Sequence, residues 1–331
     1  MTLDVTEVIP AGSVPTYPIT EGKAARIMTG APVPEGADAI IMHERTSFTE
    51  NTVTLTAPVT SANIIPPGED VAAGTLLVPK GKILTASDLA LIAGQGIAEI
   101  GVYKKLSIGL ISTGSELLNT GSPLEYGKIY NTNPYLLGGY IQKHHMTANY
   151  LNTVSDDLDS LCWAVLEALK TNDIVITTGG VSAGDFDYMP EVIRRIGGDL
   201  LFHRLKFKPG GAMLGAFKDG KVILGLSGNP GAAATGLLCV GFPFMRKLSG
   251  RSDITFSQTT AYLGVDFKKS SPVTRILKGH SDFKNGMLYF TPLSNQHNGS
   301  VSSMSDCDLL AIIPAGSKPL AAGDKLEVYI L

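Results

Sequence analysis

The stretch Asp173-Ile174-Val175-Ile176-Thr177-Thr178-Gly179-Gly180-Val181-Ser182-Ala183-Gly184-Asp185-Phe186-Asp187 decides the fold. Its first half is a run of β-branched residues without polar alternation, which predicts a strand buried on both faces, as in parallel sheets. The run enters a glycine-rich loop, and open α/β sheets bind ligands at such strand ends. Immediately upstream, Leu158, Leu161, Cys162, Val165, Leu166 and Leu169 line one face of a helix. Further upstream, Ile108-Gly109-Leu110-Ile111-Ser112 reads as a second buried strand. Asn133-Pro134 opens a helix carrying Leu136, Leu137, Tyr140 and Ile141, and residues 146–154 read as the next strand. Downstream come a helix over 190–196, a strand over 222–226 and an alanine-rich helix from Pro230 to about Leu248. This alternation predicts an α/β domain over residues 106–250, a parallel or mixed sheet with helices on both faces.

The flanks read differently. Residues 1–68 alternate short β-type runs with turn clusters and read as a small β-rich domain, with runs at 39–42, 53–55 and, just beyond it, 76–81. Residues 69–105 form a connector, part of an elongated domain, in which Thr85-Ala86-Ser87-Asp88 fits a capped helix start stopped by Gly94 and Gly96. Residues 251–331 lose helical periodicity; strands at 260–265, 273–278, 287–291, 309–314 and 326–330 predict a β-barrel-like domain. A length of 331 residues suits such a multidomain chain.

Composition narrows the function classes. Lysine and arginine number 27 against 30 acidic residues, and no basic run exceeds a pair, which argues against a nucleic-acid partner. No apolar stretch reaches the ~18 residues of a membrane span, and the amino terminus lacks signal-peptide character, so a cytoplasmic location is expected. Cys162, Cys239 and Cys307 are scattered and odd in number, which disfavours disulfides and thiolate zinc sites. Cys162 reads as core packing, and the six histidines show no metalloprotease spacing. No Walker-type phosphate loop or serine-hydrolase elbow is present.

Three loops follow predicted strands. The first, Ser112-Thr113-Gly114-Ser115-Glu116-Leu117, offers backbone N–H groups and a carboxylate, or else a tight turn with a solvated Glu116. The second, Thr178 to Asp187, combines Gly179, Gly180 and Gly184 with Ser182, Asp185 and Asp187. Such a loop can hold a phosphate on N–H groups and a metal on carboxylates, or simply cap a helix. The third, Ser227-Gly228-Asn229-Pro230, fits an anion site at a helix start or a plain Asn cap. Arg204, Lys206 and Lys208 alternate with apolar residues on a β-type segment, which places them on one face as a phosphate clamp or a solvated edge. Ser155-Asp156-Asp157 precedes a helix, where acids ordinarily serve the helix dipole.

Several long segments, in order, resemble the molybdopterin molybdenumtransferase family, the molybdenum insertases that include the E domain of gephyrin. They are Arg26-Ile27-Met28-Thr29-Gly30-Ala31-Pro32-Val33-Pro34-Glu35-Gly36-Ala37-Asp38-Ala39, Gly68-Glu69-Asp70, Ser112 to Leu117, Ile129-Tyr130-Asn131-Thr132-Asn133, Gly179 to Tyr188, Lys208-Pro209-Gly210 and Ser227 to Pro230. The resemblance implies transfer of molybdate onto the dithiolene of adenylylated molybdopterin, with Mg²⁺ and release of AMP. It implies an elongated, four-domain homodimer in which the α/β domain faces the partner's small β-rich domain. Molybdopterin adenylyltransferase and apo-molybdoenzymes are then candidate partners. Matched position by position, it assigns catalysis to Asp70, Glu116, Asp156 and Asp187, with Mg²⁺ on Glu116 and Asp187. Ligand binding falls to Thr29, Thr113, Gly114, Ser115, Gly179, Gly180, Ser182, Gly184, Asp185, Lys206, Lys208, Gly228, Asn229 and Pro230. For Asp156 this replaces the helix-dipole reading.

Departures keep other readings open. The family carries an earlier Asp-Gly-Tyr-Ala segment with an active-site Asp, and this sequence starts after it. Gly211-Ala212 and Ser227 stand where prolines are usual, and Ser115 and Asn131 where Asp is frequent. The alternatives are a catalytically impaired pterin-binding or scaffold homologue, and a molybdopterin adenylyltransferase, which shares the α/β domain but lacks the β-rich flanks.

Overall fold

In the structure, a computed structural model describing residues 1–181 and 187–331, Ile174–Thr178 is a strand buried at every position. It pairs in parallel with Ser107–Ser112 on one side and Lys221–Leu226 on the other, so that Ser112, Thr178 and Leu226 lie at one level. Thr147–Tyr150 extends the sheet in parallel at one edge. Leu214–Lys218 and Asp199–His203 extend it antiparallel at the other, giving six strands among the described residues. The sheet is therefore mixed. The two antiparallel strands are absent from the sequence reading, although Asp219-Gly220, both at positive φ, mark a tight hairpin turn. The strand expected over 146–154 is shorter, with Val154 returning only as a bridge to Thr113.

Helices cover both faces. Asn133–Lys143 and the segment from Pro230 to Leu248 pack one face through Leu137, Ile141, Ala233, Leu237 and Phe242. Leu158–Thr171 and Met189–Arg195 pack the other through Leu161, Val165, Val192 and Ile193. The helix expected from Pro230 to Leu248 contains a wider π turn at Leu237–Gly241. Pro243, two residues on, has no N–H to continue the ordinary ladder.

Five strands downstream form a closed barrel: Gln258–Leu263, Thr274–Lys284, Met287–Pro292, Leu309–Ile313 and Lys325–Ile330. Closure follows because Thr274–Lys284 pairs with both Met287–Pro292 and Leu309–Ile313. Leu263, Leu277, Phe290, Ile313 and Val328 fill it. The short strand Phe207–Lys208 leaves the α/β region and joins Thr274–Arg275 in parallel. These parts, with the helix Ala86–Gly94 capped reciprocally by Thr85 and Asp88, lie in one unit, Val78–Leu331.

The other unit, Met1–Leu77, is built on Thr2–Ile9. Lys23–Ile27 pairs with it in parallel and Thr52–Leu55 antiparallel, with Thr46–Phe48 outside. The run at 39–42 makes only the bridge Ile40↔Thr60. The run at 76–81 forms no strand, and Pro79 lacks the N–H a ladder would need. Among the described residues no helix is long and apolar enough to cross a membrane.

One polar cluster fastens the sheet's helices to the chain beyond them. The buried Arg246 guanidinium donates to the Thr255 carbonyl at 2.8 Å and to His144 Nδ1 at 3.3 Å, and stacks over Phe256. Burial, aided by Arg246, lowers His144 to about 4. The unfolded chain, with an ordinary histidine near 6.5, then takes up the proton first, so stability falls as pH drops through 6.5 towards 4. Urea midpoints of His144→Gln should decline less steeply over this window than those of the parent; equal slopes would contradict the burial argument.

Candidate functional site

The ladder of the three central strands continues one residue past their ends. Thr113 N–H donates to the Thr178 carbonyl at 3.0 Å, and Gly179 N–H to the Leu226 carbonyl at 2.9 Å. All three chains must therefore turn away within the same small space. Gly179 has φ +104°, and a Cβ there would overlap Thr113 Oγ1 and stand 2.9 Å from the Thr113 carbonyl oxygen. Gly228 is in ordinary contact with the same glycine, its Cβ position 3.6 Å from Gly179 Cα. The first, second and third loops thus meet backbone to backbone, with Thr113, Gly114, Gly179, Gly180, Gly228, Asn229 and Pro230 at one end of the sheet.

The first loop is pinned from outside. Asp156 Oδ2 accepts the Ser115 N–H at 3.2 Å, and Lys128 Nζ donates to the Ser115 carbonyl at 2.6 Å. Helix capping falls to Asp157, whose carboxylate accepts Ser160 N–H at 2.8 Å and is held at about 2, chiefly by the Ser155 hydroxyl. Asp156 is thus left for the loop. Gly114, at φ +151°, is overlain by Glu116, whose Oε2 stands 2.5 Å from the Cβ position. Two carboxylates therefore flank one turn.

The second loop is described at its two ends. Met189 N–H donates to the Gly180 carbonyl at 3.1 Å, and Asp187 is half-buried just before it. Ser182, Gly184 and Asp185 lie outside the described residues. In the third loop the Asn229 side chain makes no capping hydrogen bond, so the plain Asn-cap reading does not hold.

Lys206 and Lys208 are exposed, while Leu205 and Phe207 turn onto the core. The expected continuous strand is interrupted: Arg204 sits at φ +68° and only Phe207–Lys208 pairs. The turn after Lys208 packs on the helix that starts at Pro230, the Gly210 Cβ position being 2.8 Å from Gly236 N and 3.0 Å from the Ala232 carbonyl. Lys208 is therefore carried by a segment seated against the third loop's helix. Thr29 and Asp70 belong to the unit Met1–Leu77 and are exposed, Thr29 within a turn closed by Ala31 N–H to Met28 O and Asp70 just after one closed by Glu69 N–H to Pro66 O.

Several supporting residues were given no role of their own by the sequence reading. Ser112, Thr178, Asn131 and Thr153 form a hydroxyl and amide chain beneath the loops, with links of 3.2–3.3 Å. Asn133 Nδ2 donates to the Gly228 carbonyl at 2.8 Å, while its buried Oδ1 has no partner. Lys278 is wholly buried; its Nζ donates to Ser303 Oγ at 2.5 Å and to the His297 carbonyl at 3.2 Å, with no carboxylate paired among the described residues. Burial lowers its pKa. Nothing local marks Lys278 in the sequence, whereas the Asn131-Thr132-Asn133 segment did stand in a quoted motif. Among the described residues no three His, Cys, Asp or Glu side chains converge into a metal cage.

Comparison with known proteins gives a consistent result. Residues 2–96 match the MoeA N-terminal region (domain I and II), 109–247 a probable molybdopterin binding domain, and 260–331 the MoeA C-terminal region (domain IV). A molybdopterin molybdenumtransferase of Staphylococcus aureus is 36% identical over 97% of this chain and 77% of its own length. That of Bacillus subtilis is 36% identical over 99% of this chain and 77% of its own. The crystal structure of a molybdopterin biosynthesis MoeA protein from Pyrococcus horikoshii superposes with a TM-score of 0.86 at 27% identity, covering 99% of this chain and 81% of that one.

Gly179→Ala should cost about 1–3 kcal/mol, because a methyl group must displace Thr113 from a close-packed backbone at positive φ. A denaturant midpoint unchanged from the parent would show that the loops are not in this contact.

Proposed function

Because the chain belongs to the molybdopterin molybdenumtransferase family and takes part in molybdenum cofactor biosynthesis, we propose that it transfers molybdate onto the dithiolene of adenylylated molybdopterin and releases AMP. The observation that carries this reading is the meeting of three glycine turns at one end of the parallel strands, with the Lys208 turn seated against the third loop's helix. Backbone N–H groups crowded at strand ends suit a pyrophosphate, and lysines offset its charge as the bond to AMP breaks.

Each group then has a task. Thr113, Gly114 and Ser115, with Gly179 and Gly180, cradle the phosphates. Gly228, Asn229 and Pro230 close the cradle's far side, and Lys206 and Lys208 face the anion. Asp156 orients the first turn by holding Ser115 N–H. Glu116 and Asp187 would hold Mg²⁺, which would supply positive charge against the phosphates as the bond to AMP breaks. A cation of this kind needs only one or two protein carboxylates, and Glu116, overlying the first turn, fits that donor set.

The reading includes a cytoplasmic homodimer that receives its substrate from a molybdopterin adenylyltransferase and passes the cofactor to apo-molybdoenzymes. The adenylyltransferase alternative is disfavoured, since the matched regions flanking the pterin-binding domain have no place in it. The scaffold alternative separates by turnover. With Mg²⁺ and adenylylated molybdopterin, the purified chain should release AMP only when molybdate is added and without ATP; a bound but unreleased adenylate would favour the scaffold.

Two substitutions divide binding from chemistry. Asp187→Ala should abolish Mg²⁺-dependent AMP release and leave pterin binding measurable; undiminished release would remove Asp187 from the mechanism. Lys208→Ala should weaken pterin binding about tenfold to a hundredfold, the effect of one charge-assisted hydrogen bond of about 1.5–3 kcal/mol. Unaltered affinity by titration would refute that role.

A further inference from the structure

Asn133 is a buried polar residue whose position the roles above leave unexplained. It is 5% exposed and opens the helix Asn133–Lys143, yet its side chain takes no part in capping that helix. Its Nδ2 instead donates to the Gly228 carbonyl at 2.8 Å, across 95 residues of chain. A carbonyl only accepts, so the nitrogen end of the amide must be the one that faces it. The other end, Oδ1, is buried without a partner among the described residues. Half of a buried amide left unpaired costs free energy, and the bond to Gly228 is what that cost maintains. Asn131, two residues earlier, uses both ends of its amide, on Ser112 Oγ at 3.3 Å and Thr153 Oγ1 at 3.2 Å. The segment 131–133 therefore grips the end of the first loop's strand and the third loop at once.

The bond to Gly228 fixes a direction. A trans peptide is planar, and its C=O and N–H point opposite ways. With the Gly228 carbonyl turned inward to the buried Asn133, the Asn229 N–H of the same peptide turns outward, where Gly228 and Asn229 are both exposed. Among the described residues that N–H meets only Ser227 Oγ, 3.2 Å away within the turn. A phosphate oxygen is the stronger acceptor and takes such an N–H over readily, since a charged partner makes the hydrogen bond roughly twice as strong.

The turn does not hold this direction unaided. Gly228 has no Cβ to restrict rotation of the peptide that follows it. The Asn229 side chain makes no capping bond, and the contact of Gly228 with Gly179 sets where the peptide lies rather than which way it faces. Turned over, the same peptide would present its carbonyl oxygen to an anion and repel it.

We propose that Asn133 is a positioning residue for the third loop: by holding the Gly228 carbonyl inward it aims the Asn229 N–H at the bound phosphates. It acts through the turn, from beneath it. The inference rests on the function proposed above, and names what orients one wall of its anion cradle.

Asn133→Leu keeps the size of the side chain and removes both the donor and the unpaired oxygen. Its urea midpoint should stay close to the parent's, while adenylylated molybdopterin, titrated calorimetrically, should bind about tenfold more weakly, the effect of one lost hydrogen bond. Asn133→Ala, which makes no demand on space, should show the same loss and decides the matter if the leucine variant does not fold. Asn133→Ser leaves room for a water between its hydroxyl and the Gly228 carbonyl, and should recover part of the affinity that alanine loses. In turnover, KM should rise with kcat little changed, because the aimed N–H serves substrate and transition state alike. A purely structural role would lower the midpoint and leave the affinity of the folded chain where it was. Parental affinity in Asn133→Leu or Asn133→Ala would overturn the assignment, and molybdate-dependent AMP release by the parent would then leave the function standing. Weakened binding in these variants, beside a parent that binds the adenylate and releases no AMP with molybdate, would keep the positioning role and sink the function.

Discussion

The in-register parallel pairing of Ser107–Ser112, Ile174–Thr178 and Lys221–Leu226 is the constraint on which the site depends. Strands buried on both faces must satisfy every N–H and carbonyl within the sheet, so their ends coincide and the ladder runs on through Thr113 and Gly179. Three chains then leave one line together. There is no room for a side chain at Gly179, and backbone is what remains at the surface. A phosphate-sized anion is what such a surface accommodates best.

The rest of the second unit holds that end in place. Phe207–Lys208 is hydrogen-bonded to the barrel strand at Thr274–Arg275, and Gly210 is pressed on the helix from Pro230. The backbone that carries the lysine is thereby fixed from two sides. Lys278, a barrel residue, buries its ammonium 3.1 Å from the Cβ position of Gly231, at the start of the same helix. Burying an ammonium costs several kcal/mol, offset here by Ser303 and the His297 carbonyl. The barrel therefore contributes charge to the α/β region as well as packing.

Much of this was legible in the residues. The unbroken run Ile174–Thr178, the single apolar face from Leu158 to Leu169 and the turn-bounded strands after Gly250 each carry a strong periodic signal, and each element is present. Asp199–His203 and Leu214–Lys218 were missed because an exposed edge strand and a run of small residues carry little pattern. Glycines 114, 179 and 228 could be read as loop formers, but the reason for them is a crowding visible only once the strands are aligned. Asp156 and Asp157 are alike as neighbours in sequence; the partition between loop and helix cap comes from the hydrogen bonds each makes. Asn133 and Lys278 act across distances of 95 and 25 residues, to Gly228 and Ser303, which no local motif encodes.

The central claim, that cleavage of the adenylate is coupled to metal insertion, is tested most directly by counting molybdenum bound to the pterin dithiolene per AMP released in a single turnover. The account predicts one molybdenum for each AMP. Release of AMP with little or no molybdenum on the dithiolene would contradict it, and would leave the crowded turns as the site of a simple hydrolase.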